Sequence, residues 1–257
     1  APPRPPKGAR RGTGGPPPAF TTVVPVAWAA PPPVPVPPAN PITEPKRVLG
    51  KALFFDEQMS MSNTVSCATC HVSGRAGADP RLARNPGNDG VLNTPDDKIA
   101  SPGVIHSTAS NDYVRDAIFG LAPQVTGRAA NSPIDAAYAP ELFWDGRASG
   151  QFVDPENGQV AIVNGGALES QCVNPPVSAA EMGHDSVVWS EITAKLGRVQ
   201  PLDLATNIPP DVASALAGRP GYPELFRRAF GDPQITARRI AFAIATYERT
   251  LIADQTP

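Results

Sequence analysis

The sequence predicts a mainly α chain with long irregular loops, preceded by a proline-rich extended tail, and three observations predict it. Apolar residues recur at helical spacing in two separated stretches, residues 43–53 and 236–251, each behind a threonine able to cap it. Fifteen of the 33 prolines fall within residues 1–41. Residues 73–127 and 150–166 are crowded with Gly, Pro, Asn and Asp, the residues of turns and loops. No internal repeat and no convincing strand pair stands out.

Residues 1–41 are expected to form a tail or linker, and residues 42–257 a single domain. Every proline lacks an N–H donor and fixes its own φ, so the tail cannot join a helix or sheet. It should be extended and partly polyproline II in character. It reads either as a spacer without fixed structure or as a strap lying along a larger protein assembly. Residues 23–38, which mix Val, Ala and Trp28 with proline, are apolar enough for the strap. The most apolar early stretch, residues 20–30, is short and broken by Pro25, and no run is long enough to span a bilayer. Arg4, Lys7, Arg10 and Arg11 supply positive charge, but Pro and Gly occupy the place where the apolar part of a secretory signal belongs.

At Ile42 the composition changes. Thr43 can cap a helix that sets Val48, Leu49, Ala52 and Leu53 on one face. Phe54, Phe55 and Asp56 then lead into a polar stretch, residues 58–66. Loop follows over 73–127, with a short helix expected over 113–119; loops this long inside a compact domain usually carry function. Residues 85–97 are acidic and turn-rich but lack the ligand spacing of an EF-hand calcium loop, so they read as a hydrated loop. A helix is expected over 185–196, closed by Gly197. Another should begin by Pro223, run over 224–230 and stop at Gly231. Thr236 can cap the last helix, with Ile240, Ile244, Tyr247 and Leu251 on a shared face.

The 257 residues are 41% hydrophobic, enough for a buried core, with a formal net charge of −2 and a pI near 5.9. That balance argues against a general nucleic-acid binder. The three cysteines cannot all pair, which argues against a disulfide scaffold.

Cys67-Ala68-Thr69-Cys70-His71 carries the chemistry. Two thiols separated by two residues can each form a thioether to a haem vinyl group, and the adjacent histidine then reaches the iron. A zinc site would need four ligands where this run offers three. A thioredoxin-like redox pair would need a βα setting that is missing here. One covalent haem c is therefore expected, with His71 as an iron ligand and Cys172 left as a buried free thiol. Covalent attachment of haem in bacteria takes place outside the cytoplasm, which makes the chain exported and periplasmic. The sixth iron position decides between an electron carrier and a peroxide-binding site. His106 is the first candidate for a distal ligand, ahead of His184, Met59, Met61 and Met182.

The chain resembles the bacterial di-haem cytochrome c peroxidases, a family that includes the MauG-type enzymes. The resemblance rests on residues 49–56 (LGKALFFD), 66–71 (SCATCH), 143–148 (FWDGRA), 181–183 (EMG) and 245–251 (ATYERTL), in that order. It implies that Cys67, Cys70 and His71 hold the haem that reacts with hydrogen peroxide. It implies that Trp144 lies between two haems and helps electrons pass, and that Gln171 and Glu181 are the distal-pocket amide and acid. A carboxyl beside a haem can move a proton between the two peroxide oxygens, and an amide can orient them. The sequence departs from the family in two places. No second haem motif occurs, which fits either a piece of a longer protein or a single-haem relative. The family's Arg-Asn-x-Pro segment, linked to calcium between domains, appears as Arg128-Ala129-Ala130-Asn131-Ser132-Pro133 with its Asn displaced, so calcium is left open.

Two functions follow. One is a cytochrome c peroxidase-like enzyme, taking electrons from a second haem or a partner cytochrome. The other is an electron-transfer or structural c-type subunit of a larger periplasmic or membrane-associated complex. The tail and the absent second motif favour the subunit, and the Gln171–Glu181 pair favours the enzyme.

Overall fold

The structure, a computed structural model, describes residues 30–254. Pro33–Pro257 form one compact unit; of Ala1–Pro32, the described residues 30–32 carry no helix or strand. Most of the expected tail therefore lies outside the described residues. Its last part is anchored: buried Asn40 donates from Nδ2 to Glu169 Oε1 at 2.8 Å and to the Phe242 carbonyl at 2.9 Å.

The helices are α1 (Glu44–Phe55), α2 (Cys67–Cys70), α3 (Ala167–Cys172), α4 (Trp189–Leu196), α5 (Pro210–Ala215), α6 (Tyr222–Phe230) and α7 (Ala237–Glu248). The strands are β1 (Ala83–Asn85), β2 (Lys98–Ala100), β3 (Pro102–Ile105), β4 (Pro123–Val125), β5 (Phe152–Val153) and β6 (Val160–Ile162). They pair as three separate two-stranded antiparallel ribbons, β1–β2, β3–β4 and β5–β6. Among the described residues the fold is thus mixed, 31% helical and 12% strand, and the expectation of no strand pair is corrected. Each strand is only two to four residues long, too short for an alternating pattern to emerge from its loop.

The core is built on the crossing of α1 and α7. Gly50 makes this crossing close, because a Cβ there would stand 1.8 Å from the Ala243 carbonyl oxygen. Leu49, Leu53, Ile240 and Ile244 fill the seam, and Phe54 meets the Tyr247 ring edge-on at 5.3 Å. Tyr222 and Phe226 of α6 and Ile192 and Leu196 of α4 complete the same cluster.

Thr236 caps α7 as expected, its side chain accepting from the Arg239 N–H, and Gly231 ends α6 with φ 91°. Leu251 falls beyond the end of α7. Thr43 precedes α1 without a side-chain cap. The helix expected over 185–196 starts only at Trp189, because Ser186 takes a left-handed φ of 61° and the Asp185 N–H donates to the Ser107 carbonyl. The short helix expected over 113–119 is a turn. Asp116 there accepts from the N–H groups of Ile118 and Phe119, an arrangement that competes with helical bonding.

Candidate haem site

The attachment motif occupies a single helical turn. Ser66 lies before it, its N–H donating to Thr69 Oγ1 at 2.9 Å, and His71 closes it by donating from N–H to the Cys67 carbonyl. Cys67 and Cys70, three apart, share a face of that turn. Both line a cavity of about 940 Å³, together with His71. Burial pushes the Cys70 thiol up to about 11, against the opposing charge of Arg81, and drives Cys67 higher still. Arg81 reaches Cys70 Sγ at 3.2 Å and is itself held by Asp79 at 2.9 Å.

The His71 ring is fixed from behind. Its Nδ1 stands 3.3 Å from the Gly77 carbonyl oxygen, and burial lowers its proton affinity. The Asn131 backbone also bonds to the ring; an Nδ1–H held by a backbone carbonyl is the arrangement typical of a metal-ligating histidine. Gly77 has a left-handed φ of 76°, and a Cβ there would stand 2.4 Å from Pro133 Cδ. The residues present fit a haem: a cavity near the top of the usual ligand-pocket range, and two thiols and an imidazole, its Nδ1 facing a backbone carbonyl, in one lining.

Gln171, at the end of α3, and Glu181, in the turn anchored on the Ser178 carbonyl, line the same cavity. Burial raises the Glu181 carboxyl above its ordinary range, and the charge of Arg147 partly offsets this. Gly103 of β3 holds the turn close: a Cβ there would stand 1.9 Å from the Ala180 carbonyl oxygen.

Trp144 also lines the cavity while remaining 82% exposed, with the Arg128 guanidinium 4.8 Å over its ring. Asp145 binds both Arg128, at 3.0 Å, and Arg147, at 2.9 Å; Arg147 in turn covers the Phe143 ring at 3.6 Å. Arg128, Arg147 and Lys98 all reach the cavity wall and could meet the carboxylates of a bound cofactor.

His106 does not reach the cavity, which corrects the candidate distal ligand. Its Nε2 lies 3.0 Å from Asp185, while its buried Nδ1, 3.7 Å from Asp116, has no hydrogen-bond partner. His184 is buried between the Asp185 carbonyl and Glu191. Met59 and Met61 are not in the lining; Met182, 3% exposed, is. Among the described residues, no group of three or more His, Cys, Asp or Glu is placed to hold a metal ion.

The family model for di-haem cytochrome c peroxidase matches residues 44–257. The chain belongs to that family. It is 30% identical over 225 residues to the methylamine utilization protein MauG of Methylorubrum extorquens, covering 87% of this chain and 43% of the relative. To the MauG of Methylophilus methylotrophus it is 26% identical over 226 residues, covering 87% and 45%. The cytochrome c551 peroxidase of Pseudomonas aeruginosa is 27% identical over 223 residues, covering 85% and 42%. A solved MauG-like protein associated with microbial copper homeostasis aligns with TM-score 0.48 at 24% identity, covering 91% of this chain and 47% of that one. The chain thus spans less than half the length of these relatives. Membership implies haem c. The family carries two haems where one was expected here, and this sequence supplies one Cys-x-x-Cys-His motif. Among the described residues no helix is long and apolar enough to cross a membrane.

The sequence reading did not single out Glu248, which also lines the cavity. The signal was present: Glu248 follows Ile244 by four residues and so continues the apolar stripe of α7.

Proposed function

We propose that this chain is the peroxide-reducing haem domain of a periplasmic cytochrome c peroxidase-type protein. In this reading Cys67 and Cys70 hold the haem by thioethers and His71 is its iron ligand, and the haem supplies redox chemistry at iron. The observation that carries the reading is the convergence of Cys67, Cys70, His71, Gln171 and Glu181 on one cavity. Glu181 accepts a proton from hydrogen peroxide and returns it to the departing oxygen. Its burial, which makes the neutral acid easier to reach, suits that exchange. Gln171 orients the peroxide through its amide. Trp144, exposed beside Arg128 and Arg147, faces the direction from which electrons arrive, whether from a second haem domain or from a partner cytochrome.

Replacing Glu181 with Gln should lower peroxide turnover by about 100-fold or more, with haem content unchanged. Unchanged turnover would refute the role. Met182 favours a second reading, an electron-transfer subunit, because its thioether lines the cavity and could fill the sixth position. A ferric spectrum that is low-spin and indifferent to peroxide, and that becomes high-spin in Met182→Ala, would select that reading.

A further inference from the structure

Glu248 closes α7 and is 5% exposed, yet it faces the cavity that Cys67, Cys70 and His71 line. No ion pair reaches it among the described residues. The adjacent Arg249 turns away, spending its guanidinium on Glu169 at 2.7 and 2.9 Å. What Glu248 does receive is a hydrogen bond from the Cys172 thiol, Sγ to Oε2 at 3.4 Å. A thiol is a weak donor and stabilises a carboxylate far less than a guanidinium would.

The groups whose charge reaches Glu248 come from each element packed there. Cys172 and Glu169 belong to α3, Cys67 to α2 and Tyr247 to α7, Arg249 follows α7, and His71 shares the cavity lining. Burial dominates this balance and pushes the carboxyl up to about 7, with Glu169 reinforcing it and Cys172 and Arg249 opposing it. A carboxyl poised in this way, inside a low-dielectric cavity and without a fixed cation, responds to any new charge placed beside it.

We propose that Glu248 is the redox-linked proton acceptor of this cavity: it takes up one proton from water when one electron enters the haem held there, and releases it when the electron leaves. The inference rests on the haem reading above. The step balances. A reduced c-type cytochrome, or a mediator at an electrode, loses one electron, which the bound haem would take up; an O–H bond of a solvent hydronium ion or buffer acid breaks, leaving water or the buffer base, as one O–H bond forms at the Glu248 carboxylate. The net charge of the cavity is unchanged, so electron entry avoids the cost of an uncompensated buried charge. Cys172 is a positioning residue: its S–H donates to the ionised form and sets the pH range over which the exchange operates.

The test is the haem potential of the loaded protein followed across the neutral pH range. Mass spectrometry first establishes haem on Cys67 and Cys70; free thiols there would overturn the haem reading itself, and the proposal with it. In loaded wild type the potential should fall as pH rises, approaching a tenfold change in the redox equilibrium per pH unit, or about 59 mV. Glu248→Gln should abolish that slope. Glu181→Gln, which removes the other buried acid of the cavity, should retain it. Cys172→Ala should keep the slope but move its range to higher pH. A flat wild-type potential overturns the proposal, as does a slope that survives in Glu248→Gln or disappears in Glu181→Gln instead.

A second readout covers a Glu248→Gln variant that fails to fold. Once haem has consumed Cys67 and Cys70, Cys172 holds the remaining thiol of the 257 residues, so the infrared S–H stretch reports it alone. Reducing wild type at fixed neutral pH should shift that band, as its acceptor changes from carboxylate to carboxylic acid. A band that does not move overturns the proposal.

Discussion

Arg249 is 3% exposed and Glu169 is fully buried, and they form a two-pronged ion pair. Asn40 donates to the same Glu169 carboxylate, and Lys46 lies close enough for its charge to be felt there. Arg249→Ala would leave the buried carboxylate only the Asn40 amide and the more distant charge of Lys46. The expected loss is about 3–5 kcal/mol in urea unfolding. The Arg249→Ala/Glu169→Ala double variant should lose less than Arg249→Ala alone, because no buried charge then lacks a partner; an equal or larger loss would sink this account. At this scale the sequence was most legible where chemistry dictates spacing. Cys67, Cys70 and His71 are adjacent in the chain, so a single turn brings them together. His106 was misplaced because proximity to iron depends on how the 106–120 loop folds. Asp116 and Asp185, which capture it, lie 10 and 79 residues away. Glu248 escaped notice because an acid inside an apolar stripe reads as a surface residue until its stripe is seen to be buried on all sides.

Helices α1 and α7 touch backbone to backbone at Gly50, and any side chain there must push them apart. Gly50→Ala should cost about 3 kcal/mol or more, since the clash is with a carbonyl that cannot swing aside. Thermal unfolding of the haem-loaded protein would check this, and a loss under about 0.5 kcal/mol, that of an ordinary surface change, would contradict the packing. Elements of this length were readable from sequence: α1, α6 and α7 each have at least two turns of periodic apolar residues and a recognisable end. The ribbons and the six-residue α3 and α5 were not. Elements so short take their conformation from what they pack against. α3, for example, is held where its Glu169 meets Arg249 and its Cys172 meets Glu248.

Across the whole molecule, the core and the site share one wall and differ in the rest of their surroundings. The main core is built mostly from α1, α4, α6 and α7, and Phe54, Val65, Cys172, Met182 and Ile244 belong both to it and to the cavity wall. The cavity, by contrast, is walled on much of its circumference by loops, including residues 126–131 and 141–147. No apolar side chain of those segments joins the main core: Leu142 and Phe143 pack in a smaller cluster with Leu168 and Ala245, and Thr126 and Ala130 are tied to Ser101 by hydrogen bonds, so a bound cofactor would add to a modest set of contacts. Cys67→Ala/Cys70→Ala, which cannot form thioethers, should therefore lose order unevenly. Amide exchange measured by mass spectrometry is expected to accelerate at least tenfold, about 1.4 kcal/mol of local stability, over 126–131 and 141–147. It should change little over α1 and α7, whose bonds open only on global unfolding. The melting temperature should fall as well, because a ligand bound to the folded state alone stabilises that state by mass action. Faster exchange spread evenly through α1 and α7 would mean that the haem stabilises the central core as much as the loop wall, and the expected difference between helices and loops would have to be given up.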